Sequence, residues 1–475
     1  MTAAAIAAGH PATADAGAEI LALGGSAADA AVAACLASCV AETVMTGLLG
    51  GGHALYYDAA SRRAAHLDCF VTVPSGSGAP MAELEVPFGE EVVHYAVGAS
   101  SCAVPGVPAG LDSLWRAHGR LPWAELVAPA LRLAQSGVAM PPAHAACLAM
   151  LEPVMTMREG ARMYAPAGTL LGSGGVLDQP GLVTALELVR DEGASTFYSG
   201  SIAEALLALV AERAGAITRD DLLGYEAVWR APAEVAFAGR RVLTRGGLSS
   251  VPETLALLDR ARGPQALLAA LDDGLVGTGH TTNLTVVDAD GNACVVTTSL
   301  GLGSGDWLPG LDLHLNSMLG ETDLVRGPLR PGERMESMMA PTAALDGAGL
   351  ELALGAAGGT RLRTALVGVL DAVLREGLHP QEAIDRPRFH PVDGLVNAEP
   401  GVDEELLRSL EAQGRTVRRW QAPHHYFGGV SAVGRAGAGA DPRRSGAVRR
   451  ARPGQAGSSP GSTPGTRTSG TPDSG

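Results

Sequence analysis

Five hydroxyl-bearing residues fall close together on one pattern of two strand-like runs. Thr281 and Thr282 lead into Asn283-Leu-Thr-Val-Val-Asp288, and Thr297, Thr298 and Ser299 end the run that starts at Asn292. Ala289-Asp-Gly291 separates the runs, and Asp-Gly between such segments signals a hairpin. With a two-residue turn at Asp290-Gly291, Thr281 faces Leu300 and Thr282 faces Ser299; a slip in the turn moves this by about a residue or two. A hydroxyl at a strand end, just after the glycine-containing Gly277-Thr-Gly-His280, suits a nucleophile. Thr–Thr pairs are also ordinary strand chemistry, so the hairpin alone leaves both readings open.

Other chemistries are excluded by composition. The chain has no lysine, so all 35 basic residues are arginine. Schiff-base chemistry, pyridoxal phosphate attachment and a Walker lysine are thereby removed. Cys35, Cys39, Cys69, Cys102, Cys147 and Cys294 show no C-x-x-C spacing, and the twelve histidines include no H-E-x-x-H. Neither a metal nor a cofactor is expected. A net charge of −15 with mostly scattered arginines argues against nucleic acid. Residues Met1 to His10 lack the basic start and long apolar core of a secretory signal, and the longest apolar stretch, near Ala30–Ala41, is too short for a bilayer. The expectation is a cytoplasmic protein without membrane contact.

The elements that must position these hydroxyls are built from small residues. Hydrophobic residues make up 46% of the chain, aromatics 4%, and there are 63 glycines, so Ala, Val and Leu must fill the core. Helical spacing covers Thr13 to Leu23 and stops at Gly24-Gly25; Ser26 caps a second, wholly apolar helix to about Ala41. Gly47 and Gly50–Gly52 read as a loop before a strand at His53–Asp58, with another at Ala65–Val71 after a turn near Ser61. Helices follow at Gly110–Ala117, Trp123–Gly137, Leu182–Asp191 and Ile202–Ala214, and short strand-like runs return from about Val235. Gly358-Gly359 opens a helix from Arg361 to Glu376. Residues after about Arg449 lack apolar periodicity, so 449–475 is expected to be a disordered tail behind a single domain, 1–448.

Several blocks, in order, resemble the γ-glutamyltransferase (γ-glutamyltranspeptidase) family of N-terminal nucleophile hydrolases. They include His10-Pro11, Ala18–Val32, Gly47–Gly52, Val104-Pro-Gly-Val-Pro-Ala-Gly-Leu111, Pro129-Ala130 and Asp191–Gly200. Thr281–Asn292, Pro341-Thr342, Gly358-Gly-Thr-Arg361, Ala383–His390, Tyr426-Phe-Gly-Gly-Val430 and Ala440-Asp-Pro-Arg-Arg444 follow. The resemblance implies a four-layer α/β/β/α sandwich made as one chain and cut before the catalytic threonine. Thr281 would attack the carbonyl of His280, giving chains 1–280 and 281–475 that stay together as a heterodimer. The freed amine of Thr281 then serves as base, Ser299 supports the nucleophile, and Gly358 and Gly359 supply the oxyanion hole. The implied activity is cleavage of glutathione-like γ-glutamyl amides, with transfer to an amine or water.

The family's grip on the substrate is poorly matched. The arginine expected around Val71–Gly78 is absent, the acidic stretch after Leu315-Asn-Ser-Met318 becomes Leu319-Gly320 with Glu321 beyond, and a serine pair becomes Ser337-Met338. An asparagine expected after the second hairpin strand becomes Gly301. Ser337 and Glu321 are the substrate-binding candidates; Glu321, Asp323 and Arg326 are alternatively plain loop charges. An acylase for another side-chain amide, such as a glutaryl group, and a non-catalytic binding protein remain as alternatives.

Overall fold

The computed structural model describes residues 4–88, 91–271, 281–392 and 394–451. It is a mixed α/β protein with two large antiparallel sheets. Thirteen strands form them: β1 (Ala5–Ala8), β2 (Gly51–Asp58), β3 (Arg63–Cys69), β4 (Val228–Arg230), β5 (Ala233–Phe237), β6 (Arg240–Thr244), β7 (Thr282–Val287), β8 (Ala293–Ser299), β9 (Thr342–Asp346), β10 (Gly349–Ala357), β11 (Gly429–Gly434), β12 (Gly437–Ala440) and β13 (Ala447–Arg450). The first sheet runs β13-β1-β7-β8-β2-β3-β4 and the second β12-β11-β10-β9-β6-β5. β7 and β8 pack on β10, and β7 also on β11. Helices Pro11–Ala22 and Ala27–Ala41 cover the outer face of the first sheet, and Arg361–Leu374 packs on β10 and β11 of the second.

The helix at Ala27–Ala41 shows how small residues make this possible. Ser26 Oγ accepts from Asp29 N at 3.1 Å, and the Asp29 carboxylate accepts from Ser26 N at 2.9 Å, a reciprocal cap. All fifteen residues of the helix are buried. Alanine on nearly every face lets it lie between the sheet and the helices Pro11–Ala22 and Trp123–Ser136. The outer helices expected from sequence are found at Val107–His118, Trp123–Ser136, Pro180–Glu192 and Ser201–Glu212, and the late helix at Arg361–Leu374.

Four expectations change. The hairpin register is one residue different: Thr282 pairs with Thr298, so Thr281 lies opposite Ser299 rather than Leu300. The turn takes three residues because Asp288 closes it, its Oδ1 accepting from Asp290 N and Asn292 N while Asp288 N donates to Asn292 O. Gly51 and Gly52 belong to β2 rather than to a loop, and pair with Ser299 and Thr298. β13 extends through Arg450, where Arg449 and Arg450 pair with Ile6 and Ala5, so the folded chain passes the expected boundary at 448. β1, the helix Pro142–Met155 and the small hairpin Ala82–Phe88/Glu91–Val97 have no counterpart in the sequence reading.

β7 is held from three sides. It pairs with β1 and β8 in its own sheet. Toward the other sheet, Thr285 Oγ1 donates to Ser431 O at 2.9 Å and Ser431 Oγ to Asn283 O at 3.1 Å. Asn283 Oδ1 accepts from Thr297 Oγ1 at 2.7 Å, and a Cβ at Gly355 would stand 2.0 Å from that oxygen. Replacing Gly355 by Ala should therefore displace Asn283 and destabilise the protein by about 1–3 kcal/mol, the usual cost of overpacking. Thermal and denaturant unfolding would measure the loss.

Candidate active site

Five of the residues singled out from sequence, Thr281, Ser299, Gly359, Ser337 and Glu321, come together at the head of β7. Thr281 immediately precedes the strand and is buried, as is Ser299 across from it. Both line one small cavity together with Gly359, Ser337 and Glu321. Its free volume is about 30 Å³, room for a water or two. Ser299 is fixed by its surroundings: its Oγ accepts from Gly301 N at 3.0 Å, and a Cβ at Gly50 would lie 2.2 Å from its carbonyl oxygen. The glycine run before and within β2 is therefore required by close approach to the strand that ends in Ser299.

Gly358 and Gly359 join β10 to the helix Arg361–Leu374 with φ of +126° and +59°. Glycine adopts such angles at little cost, and the turn carries the chain into the positive end of a helix dipole. Gly359 lines the cavity; Gly358 has its open side toward Gly428 and the Arg444 guanidinium. Ser337 is buried, its Oγ accepting from Met339 N at 3.3 Å and its carbonyl from Arg245 Nη1. His280, the other expected partner in self-cleavage, lies outside the described residues.

Glu321 departs from a plain loop charge. It is only 6% exposed, and its Oε1 has no hydrogen-bond partner among the described residues. Burial, reinforced by the Asp323 charge, pushes its carboxyl up to about 8. Gly301 keeps this spot open, since a Cβ there would stand 2.6 Å from Glu321 Oε1. The asparagine that the family resemblance leads one to expect at Gly301 has no room. Asp323 also lines the cavity, whereas Arg326 is exposed and does not.

A second buried carboxyl, absent from the sequence reading, sits on the other side of the head of β7. Glu42 follows the apolar helix Ala27–Ala41; Thr13 Oγ1 donates to its Oε1 at 2.6 Å and Thr282 Oγ1 donates to its Oε2. Thr281, Thr282, Glu42 and Arg444 line one narrow space there. Arg444 is buried, its Nε and Nη2 have no hydrogen-bond partner among the described residues, and burial lowers its guanidinium to about 10. It was visible only as part of the Asp441-Pro-Arg-Arg444 block. Glu42 could have been noticed as the lone acid between an apolar helix and the glycine run.

Burial raises the Glu42 carboxyl from 4.5 to about 7, against the hydrogen bonds from Thr13 and Thr282 and the attraction of Arg444. Between those values the folded chain keeps the proton that the unfolded chain has lost. The contribution is thus fully present below 4.5 and is lost as pH rises to about 7. Relative to a Glu42→Gln variant, the wild type should lose up to about 3 kcal/mol across that interval. Urea titrations of both proteins at pH 4.5 and 8 would measure the difference.

The chain is similar in sequence and fold to known proteins. Residues 13–266 and 270–451 match the Gamma-glutamyltranspeptidase family. The chain is 28% identical to the Acylase ACY 1 proenzyme of Pseudomonas sp. (strain V22), over 89% of this chain and 88% of that one. It is 26% identical to Glutathione hydrolase proenzyme 1 of Schizosaccharomyces pombe, over 84% of this chain and 76% of the other. Among solved structures, a cephalosporin acylase from Bacillus halodurans superposes with a TM-score of 0.80 over 96% of both chains at 23% identity, a likeness of fold. With almost the whole described chain matched, from the outer helices through the threonine-headed strand to β13, the protein belongs to the gamma-glutamyltranspeptidase family.

Proposed function

We propose that this enzyme is a self-processing N-terminal threonine amidohydrolase and acyltransferase with the four-layer α/β/β/α architecture of N-terminal nucleophile hydrolases. The observation that carries the reading is the meeting of Thr281, Ser299 and Gly359 in one buried cavity at the head of β7. In maturation the Thr281 hydroxyl adds to the carbonyl of His280, the peptide C–N bond breaks, and the amine of Thr281 is released as an ester forms. Water hydrolyses that ester, leaving 1–280 and 281–475. The new α-amine has a reference pKa of about 7.7 to 8.0, so it works as a base near neutral pH without lysine or histidine.

In turnover the Thr281 hydroxyl attacks the substrate amide and passes its proton to that amine. The tetrahedral oxyanion is held by the backbone N–H groups of Gly358 and Gly359, and the helix N-terminus behind them adds to the stabilisation. Collapse breaks the C–N bond, the leaving amine takes the proton, and the acyl group remains as an ester on Thr281. Water or a second amine then releases it. Ser299 steadies the nucleophile, and Ser337 and Glu321 contact the acyl group. Glutathione-like γ-glutamyl amides are the donors that the family suggests. A second reading, an acylase for a different side-chain amide, is favoured by a cavity that no arginine lines among the described residues.

The two products form a heterodimer. Strands β1–β6 would fall in one piece and β7–β13 in the other, yet they alternate in the first sheet and meet again at β6–β9 in the second. On a denaturing gel the purified protein should appear as two fragments, the smaller beginning with Thr281, and the pair should elute as one species under native conditions. Thr281→Ala should remain a single chain and lose all turnover. An active Thr281→Ala protein would exclude this mechanism, and a wild type that stays intact and inert would favour a binding role.

A further inference from the structure

We propose that a second cavity, apart from Thr281, binds a small organic amine: an ammonium carried on a compact apolar body. The space lies between the helices Arg361–Leu374 and Pro264–Leu271, the segment Arg386–Phe389 and the start of the helix Glu404–Ala412. Its free volume is about 420 Å³, against about 30 Å³ beside Thr281, and that is the size of a small-molecule site. Leu267, Ala365, Val369, Phe389 and Leu406 supply apolar walls.

Gly368 lines this space from the middle of the helix Arg361–Leu374, about 10 Å along the axis from Arg361. Glycine inside a helix costs stability relative to alanine, and a neighbour pressing on the missing Cβ is the usual reason for it. Here no atom lies within 4 Å of where that Cβ would stand. The glycine relieves no clash within the protein; it leaves helix backbone open to an occupant. Thr364, Gly368 and Asp371 follow one another at helical spacing, so the opening runs toward the Asp371 carboxyl.

Among the described residues, five ionisable side chains line the space, and they are not equally free. The Arg388 guanidinium is taken up by Asp441 and by the carbonyls of Ile384, Phe427 and Gly428. Arg386 is held by both oxygens of Glu376, at 2.6 and 2.7 Å. Asp403 caps the helix Glu404–Ala412, its Oδ1 accepting from Glu405 N at 2.9 Å. Asp371 differs. Arg375 Nη1 donates to its Oδ1 at 3.0 Å, yet burial holds its carboxyl above the ordinary value against that attraction. A second cation at Oδ2 offsets the burial, and it also stands near the negative C-terminal end of the helix Arg361–Leu374. An ammonium whose apolar body lies over Gly368 meets both conditions. A carboxylate in the same place faces Asp371 and the same helix end.

Calorimetry on the purified enzyme tests this with 2-phenylethylamine, the neutral 2-phenylethanol and the carboxylate 3-phenylpropanoate. The amine should bind saturably and at least tenfold more tightly than the alcohol, and the carboxylate should show no saturable binding. Gly368→Leu, which fills the space, should weaken the amine at least tenfold without lowering the unfolding midpoint. Asp371→Asn should bring the amine to the affinity of the alcohol, and this variant decides the matter if Gly368→Leu does not fold. No saturable binding of the amine, equal or tighter binding of either analogue, or amine binding that a folded variant leaves unchanged overturns the inference. Thr281→Ala should bind the amine as the wild type does, because Thr281 does not line this space; loss of binding there would assign the amine to the Thr281 site and also overturn it. An intact, inert wild type that binds the amine as stated would remove the proposed chemistry and leave this site standing.

Discussion

The structure depends on holding one peptide unit, the one ahead of Asn283, where two sheets and a helix start converge. β7 cannot shift along its axis without breaking ladders to β1 and β8 at once. Nor can it lift away from the second sheet without losing the bonds between Thr285, Asn283 and Ser431. A residue at the head of such a strand, as Thr281 is, has little freedom left to lose, which is the economy that positioning offers catalysis. Much of the unusual composition follows from this requirement. Gly50, Gly52 and Gly355 are small because backbone or side-chain atoms of β7 and β8 stand where a Cβ would go.

Electrostatics add a second layer. Glu42 beside Thr282 and Glu321 in the cavity with Ser299 flank the same residue, Thr281, and burial raises both toward or above neutrality. The charged pairs that tie the chain's late segments together lie elsewhere. Arg388 meets Asp441 at 2.5 Å and Arg443 meets Glu399 at 2.5 Å, all four being buried. Asp441 also accepts from Val430 N at 3.1 Å, so this network braces the start of β11. Burial works against the Asp441 charge, but Arg388 and Arg443 hold its carboxyl below the usual range. These charge pairs thus lie in the scaffold, while the two carboxyls raised by burial lie beside Thr281.

What could be read from the sequence depended on how local the signal was. The helix at Ala27–Ala41 was legible because the Gly24-Gly25 break and the Ser26 cap lie immediately before it. The hairpin was legible, but its register depended on the Asp288 side chain closing a three-residue turn, and that shifted Thr281 from Leu300 to Ser299. β1 was hidden because its four residues, Ala-Ile-Ala-Ala, are buried on both faces and show no alternation. Glu321 was ambiguous, since an acid in a loop gains its burial from segments far away in sequence. The meeting of Thr281, Ser299, Gly359 and Ser337 was reachable through family resemblance, whereas the Glu42–Thr282 contact depends on tertiary packing.

The pairing of β13 with β1 has a consequence for how the protein could be rebuilt. Ala451 N donates to Ala4 O at 2.9 Å, so the described chain closes almost into a ring at the edge of the first sheet. A short linker from Ala451 to Ala4 would complete that ring, and a new opening just before Thr281 would make Thr281 the first residue of a circularly permuted gene. Once the initiator methionine is trimmed, such a polypeptide carries its threonine amine from birth. Maturation and catalysis, which the proposed mechanism fastens to a single residue, would then become separable traits of one architecture.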